Sequence, residues 1–286
     1  MALFGKNCTG CGVISPAGAI APEKLDSGIA ALKEFFPVVK VGEHAHGKLD
    51  YLSATAQDRF ADLEKFWLDD EIDLILASRG GFGCAHLLKQ ISTLPHREKL
   101  VGGYSDLTAL LWALEKSGNG TPVVMPMAGK FSGLDEKSLT SAVAAVKRLP
   151  RIMGENLNVL KPGKVAGLPL AGNLTVAATL AGTNYFPDCR GRILILEDVN
   201  EPLYRIDRAL TQLEQCGALT NCAGVIFGAF TGAEFSFPQL EKLLRRFAEV
   251  VNGPVLSGLA FGHEFPLESI NFHQEISIDG DMVKAL

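Results

Sequence analysis

The chain has 286 residues, enough for one large domain or two ordinary ones, and its 47% hydrophobic residues, 21% charged residues and 30 glycines exclude a disordered or fibrous protein. A formal net charge of −5 and a pI near 5.7 leave no basic footprint for nucleic acid or an anionic membrane surface, so a small-molecule or peptide partner is expected. No apolar run approaches the ~20 residues that span a bilayer, and the N-terminus lacks the apolar stretch of a signal peptide, which predicts a cytoplasmic protein.

In chain order, "CGVISPAGAI" (11–20) reads as a buried strand ending at Pro16 and Gly18. "PEKLDSGIAALKEFF" (22–36) places Leu25, Ile29, Leu32 and Phe36 on one helical face. "FPVVKVG" is a second short strand, followed by the polar loop "EHAHGKLD", and "TAQDRFADLEKFWLDD" is a helix with Phe60, Leu63 and Trp67 at helical spacing. "IDLILASRGG" is a strand with a glycine-rich end, "CAHLLKQI" a helix, "KLVGGY" a strand and "DLTALLWALEKSG" a helix. Strands alternating with helices predict a parallel sheet covered on both faces.

This rhythm breaks at "VKRLPRIMGENLNVLKPGKVAG" (146–167), with prolines at 150 and 162, and a boundary is expected there between domains at 1–150 and 165–286. The second half resumes with "AGNLTVAATLAGT", the strand "RILILED", the amphipathic helix "PLYRIDRALTQLEQCG", the strand "GVIFGAF" and the helix "FPQLEKLLRRFAEVV". Short strands in "GPVLSGLAFG" and "QEISIDG" follow. The expected class is α/β, an N-terminal parallel-sheet sandwich with a smaller C-terminal α/β domain.

Ligands of open parallel sheets bind beyond the carboxyl ends of the strands, which draws attention to two segments. In "ASRGGFGCAHLL", Gly80, Gly81 and Gly83 lie between a strand and a helix, where a tight turn alone accounts for them as well as backbone N–H groups that cradle an anion or line an oxyanion hole. The segment also approaches a dinucleotide fingerprint, with Asp106 near the distance of a ribose contact, but His86 replaces the third glycine. In "GGYSDLTAL", Ser105 is one glycine short of a G-x-S-x-G elbow, and an ordinary N-cap equally accounts for a serine and an aspartate there.

A nucleophilic serine needs a base and an orienting acid. His263 in "LAFGHEFP" follows a strand and a glycine, a placement suited to a catalytic loop, whereas His273 sits among strand-like residues. Glu197, Asp198 and Glu201 lie just past an apolar strand, and spacing alone does not choose among them. His44 and His46 form an H-x-H without a partner at useful spacing and read as solvated loop residues. Cys8 and Cys11 form a C-x-x-C with no second pair, and the six scattered cysteines do not make a disulfide framework. No metal or cofactor is expected.

Six stretches in this order, "VISPAG", "YLSATAQDRFADLEKFWLDDEIDLILASRGGFGCAHLL", "GYSDLTALL", "GNLTVAATLAGT", "ILILEDVNEPLYRIDRALTQL" and "GLAFGH", resemble the LD-carboxypeptidase family of serine peptidases. That family includes muramoyltetrapeptide carboxypeptidases and microcin C self-immunity peptidases. The resemblance implies a nucleophile at Ser105, with Glu197 and His263 completing a triad. It implies an oxyanion hole from the backbone N–H of Asp106 and of Gly80 or Gly81, a site between two domains, and a homodimer. The implied substrate is the L,D-amide bond before a terminal D-alanine of a cell-wall tetrapeptide in peptidoglycan recycling; the alternative is an aminoacyl-nucleotide conjugate. Two departures bear on substrate rather than mechanism: Val124-Met125-Pro126-Met127 stands where the family has an "HGPM"-like segment, and "INFHQEIS" where it has an "LPLG"-like one. "AGNLT" for "GGNLT" is milder. Arg79 is a candidate anion partner by charge and position, and arginines beside such loops are as often structural.

Overall fold

The computed structural model of the chain describes residues 3–232 and 234–286. Its first half builds strands β1 (Gly10–Ile14), β2 (Val38–Val41), β3 (Leu74–Ala77), β4 (Leu100–Gly103) and β5 (Thr121–Val124). The helices between and after them are α1 (Pro22–Phe35), α2 (Ala56–Leu68), α3 (Leu88–Ile91), α4 (Leu107–Ser117) and α5 (Glu136–Lys147). The five strands are parallel in the order β2-β1-β3-β4-β5. Apolar residues fill β1 and β3 because both faces of each strand are covered. The order reverses direction at β1 and β3, so the loops that leave these two strands diverge and open a crevice at their carboxyl ends.

The second half adds β6 (Arg151–Gly154), β7 (Asn158–Lys161), β8 (Lys164–Gly167), β9 (Pro169–Asn173), α6 (Leu174–Leu180), β10 (Ile193–Val199) and α7 (Leu203–Gln215). It continues with α8 (Ala218–Asn221), β11 (Gly224–Thr231), α9 (Phe237–Val250), β12 (Val255–Ser257), β13 (Ile270–Asn271), β14 (Ile276–Asp279) and β15 (Met282–Ala285). Strands β9 to β12 are parallel, with β7 antiparallel on the β12 edge, and β6-β15-β14-β8 form a separate antiparallel sheet. The expected α/β class, a parallel-sheet first half and a smaller α/β second half, is the architecture observed.

Helix α4 sits where the two halves meet. Every residue from Leu107 to Leu114 is buried, which demands a helix apolar on nearly all sides, and the Trp112 indole N–H donates to the Ala171 carbonyl in the middle of β9 (2.9 Å). The chain later returns to the first sheet, where β13 adds antiparallel to β5.

Three expectations change. The stretch 146–167 folds into β6, β7 and β8, whose half-exposed edge positions mute the apolar alternation of a strand. "CAHLLKQI" begins as a 3-10 turn over Cys84–Leu87 before becoming α3. His273 lies in a turn after β13, not in a strand. Among the described residues no helix is long and apolar enough to cross a membrane.

Candidate active site

Ser105 occupies the sharp turn between β4 and α4. Its φ of +66° is left-handed, a conformation that costs a non-glycine residue roughly 1–2 kcal/mol. The turn also needs Gly103, where an added Cβ would fall 2.7 Å from the Leu107 side chain. Ser105 is not the N-cap: that position belongs to Asp106, whose carboxylate instead accepts the Cys84 backbone N–H (2.9 Å). The Ser105 hydroxyl therefore makes no capping bond, and the Asp106 carboxylate is buried at the end of the glycine loop.

The loop after β3 comes up against this turn. A Cβ on Gly80 would lie 2.9 Å from Ser105 Cβ, 3.0 Å from its Oγ and 3.6 Å from Asp106 N. The backbone N–H groups of Gly80, Gly81 and Asp106 have no hydrogen-bond partner among the described residues. Arg59 fixes the loop from behind. Its buried guanidinium donates to the carbonyls of Gly83 (2.8 Å), Ala54 (3.1 Å) and Pro16, and burial lowers its pKa from the ordinary value.

Glu197 lies at the end of β10, opposite Asn173 of β9, where the β10–β11 register shifts between Leu196 and Asp198. Such a bulge re-aims a side chain beside an active site. Glu197 is 2% exposed; its Oε2 is 2.8 Å from Nδ1 of His263, and its Oε1 accepts from the Asn173 amide (3.3 Å). Burial raises its pKa, against the opposing pull of His263 and Asn173. Gly262 delivers the histidine closely, since a Cβ there would meet Glu197 Oε2 at 3.2 Å. Tyr104 packs edge-on against the imidazole (ring centroids 5.2 Å), and burial with the nearby Glu197 charge pushes its phenol up to about 12.

Ser105, His263, Gly80 and Gly81 line one cavity of about 370 Å³. Glu197 stands behind them, packed with Tyr104, Ser105, Asn173 and Gly262. Of the three carboxylates that spacing could not separate, Asp198 is engaged by Asn173 (2.8 Å) and Thr175 (2.7 Å) and Glu201 pairs with Arg205 (3.4 Å), so Glu197 is the one bonded to a histidine.

Other candidates fall elsewhere. His44 bonds Asp62 (3.1 Å) and His46 bonds Asp26 (2.8 Å), so they are tethered to separate carboxylates rather than merely solvated. No group of three metal-binding side chains occurs among the described residues. Cys8 and Cys11 are buried free thiols; burial raises both, Cys8 to about 12, which makes them inert. His273 contacts Glu115 (3.1 Å), away from Ser105. Sequence reasoning missed Arg59, Tyr104 and Thr108, whose hydroxyl receives the Asn173 N–H (2.9 Å) and ties α4 to β9. Asn173, in "AGNLT", is the N-cap of α6, a role that an asparagine just before a helical segment signals.

Residues 11–123 match the LD-carboxypeptidase N-terminal domain and residues 166–278 the LD-carboxypeptidase C-terminal domain. The chain is 34% identical over 270 residues to a probable murein peptide carboxypeptidase of Bacillus subtilis (strain 168), covering 89% of this chain and 84% of the relative. It is 28% identical over 270 residues to the murein tetrapeptide carboxypeptidase of Pseudomonas aeruginosa, covering 88% and 87%. Among solved structures, muramoyltetrapeptide carboxypeptidase from Oxalobacter formigenes shares the fold with a TM-score of 0.81 at 24% identity, covering 97% of this chain and 98% of that one. MccF in complex with glutamyl sulfamoyl guanosine shares it with a TM-score of 0.85 at 18% identity, covering 98% and 96%. The chain belongs to the LD-carboxypeptidase family.

Proposed function

We propose that the protein is a serine carboxypeptidase that hydrolyses the L,D-amide bond before the terminal D-alanine of a muropeptide tetrapeptide. The observation that carries this reading is the 2.8 Å bond between Glu197 and His263, with that histidine lining the same cavity as a left-handed serine. With Nδ1–H donated to Glu197, Nε2 of His263 is the free base. It takes the Ser105 proton as Oγ attacks the scissile carbonyl, and returns it to the leaving amine of D-alanine. Glu197 holds the tautomer and stabilises the imidazolium. The N–H groups of Asp106 and of Gly80 or Gly81 receive the oxyanion, each donor contributing about 3 kcal/mol to the transition state. Water, activated by the same histidine, then releases the acyl-enzyme.

The carboxypeptidase names of the relatives support the substrate class. The nucleotide-conjugate alternative needs a platform on which a base can stack, and among the described residues the only Phe, Tyr or Trp lining the cavity is Tyr104, whose ring is buried against His263. The reading includes a cytoplasmic homodimer with no metal, nucleic-acid or membrane partner; light scattering tests the dimer. The main experiment incubates the protein with tetrapeptides ending in L-lysyl-D-alanine or diaminopimelyl-D-alanine, beside Ser105→Ala. Release of D-alanine by the native chain alone is expected. No release removes the substrate assignment, and equal release by the variant removes the mechanism.

A further inference from the structure

We infer that a cationic wall of the same cavity, formed by Lys24, Arg79 and Lys130, binds the free carboxylate at the substrate's C-terminus, with Arg79 as the contacting residue. This rests on the proposed peptidase reading and adds the group by which the site tells a chain end from an internal bond. In a protein of net charge −5, this cavity is lined, among the described residues, by three Lys or Arg side chains and no aspartate or glutamate. The three come from separate places: Lys24 from the first turn of α1, Arg79 from the loop after β3, and Lys130 from the turn after β5. None forms a salt bridge among the described residues. Arg79 is held by donating through Nη1 to the Ala19 carbonyl (2.8 Å), and Lys130 by lying over the Phe265 ring (5.6 Å). Such anchoring leaves charge directed at the cavity rather than spent on a protein carboxylate.

The spacing suits a carboxypeptidase. Arg79 immediately precedes Gly80, whose Cβ position is 3.0 Å from Ser105 Oγ, and its Nη2 is 3.8 Å from the Cβ position of Gly81. A terminal carboxylate lies one residue beyond the scissile carbonyl, about 3.8 Å along the chain. A substrate carbonyl seated against Ser105 and Gly80 thus presents its terminal carboxylate to this wall. A guanidinium fork matches the two oxygens, and the lysines add field.

The test compares hydrolysis of a tetrapeptide ending in free D-alanine with the same peptide ending in D-alaninamide, in the native protein, Arg79→Gln, Arg79→Lys and Lys24→Met/Lys130→Met. Fluorophosphonate labelling of Ser105 reports the nucleophile in each variant. The native protein should prefer the acid. Arg79→Gln should lower kcat/KM for the acid by on the order of tenfold, mainly through KM, and collapse the acid-over-amide ratio, with Arg79→Lys recovering part of it. An unchanged ratio in Arg79→Gln overturns this inference and leaves the peptidase reading standing. Cleavage of neither peptide by a native protein that labels overturns both. Arg79→Gln impairing hydrolysis of an aminoacyl-sulfamoyl-adenosine but not of the peptide also overturns it, assigning the wall to a phosphate-like group.

Discussion

Gly80 and Ser105 stand so close that a Cβ built on the glycine falls 2.9 Å from the serine Cβ. Gly80 has no left-handed φ, so alanine suits its backbone and the conflict is between side chains alone. Gly80→Ala should displace Ser105 or the loop by some tenths of an ångström. The cost in kcat should be about a hundredfold, with a stability loss of roughly 1–3 kcal/mol from overpacking. Steady-state kinetics and thermal melting check this; native kcat in a folded variant would show that the loop does not bear on the serine.

Glu197→Gln keeps the shape of the side chain but replaces the acceptor at Oε2 with an atom that can be a donor, which turns His263 to the wrong tautomer. Loss of about 10³- to 10⁴-fold in kcat with little change in KM is expected. Asp198→Asn is the contrast, because Asp198 accepts from Asn173 and Thr175 and not from the histidine. A comparable kcat loss from Asp198→Asn, with Glu197→Gln near native, would reassign the acid.

The Ser105 turn was legible because apolar β4 runs into glycines and then into the apolar spacing of α4, and both signals are local. Which of Glu197, Asp198 and Glu201 meets His263 was not legible from spacing, since it depends on a register shift between β10 and β11. The resemblance alone named Glu197 as the acid. Arg59 was hidden for a different reason: on an amphipathic helix it reads as a solvated charge, and only the packed loop shows its guanidinium turned inward to carbonyls. Strand β5 and helix α5 escaped notice because "TPVV" is short and carries a proline, while α5 buries small residues such as Ala142 and Ala145. Strands β6, β7 and β8 pair with segments about 100 or more residues later, beyond the reach of a sequence window.

Glu115 provides a pH-dependent stability term. Burial alone would raise its carboxyl, but bonds to His273 (3.1 Å) and Arg192 (2.6 Å) outweigh that and hold it below the ordinary range. A depressed folded pKa contributes stability above the unfolded value of about 4.3 and loses it as pH falls through the folded value. The stability gap between the native protein and Glu115→Gln should therefore be widest above about pH 5 and narrow below about pH 4. Urea titrations at a series of pH values measure it; a gap that widens on acidification contradicts the assignment.

His263 is carried on a segment that the first half of the chain holds down. The backbone N–H groups of Leu267 and Ser269 donate to the hydroxyls of Ser138 (2.8 Å) and Ser141 (2.9 Å) on α5, and Asn271 donates to the Ala145 carbonyl (3.0 Å). Glu268 accepts from Ser141 (2.8 Å) and faces Arg151 at 3.5 Å; burial raises the carboxyl and lowers the guanidinium. Serines spaced three apart on one helix thus act as a two-rung clamp. Ser138→Ala/Ser141→Ala leaves two buried N–H groups without acceptors, at a cost of about 1–3 kcal/mol each. If the clamp also positions the imidazole, kcat should fall while KM stays near native, because the cavity wall is untouched. Stability lost with kcat unchanged would limit the clamp to holding the fold together. Glu268→Gln separates the charge from the clamp: it keeps a polar group of the same size beside Ser141, so a kcat near native in that variant, with the double serine variant impaired, would place the positioning in the serine rungs.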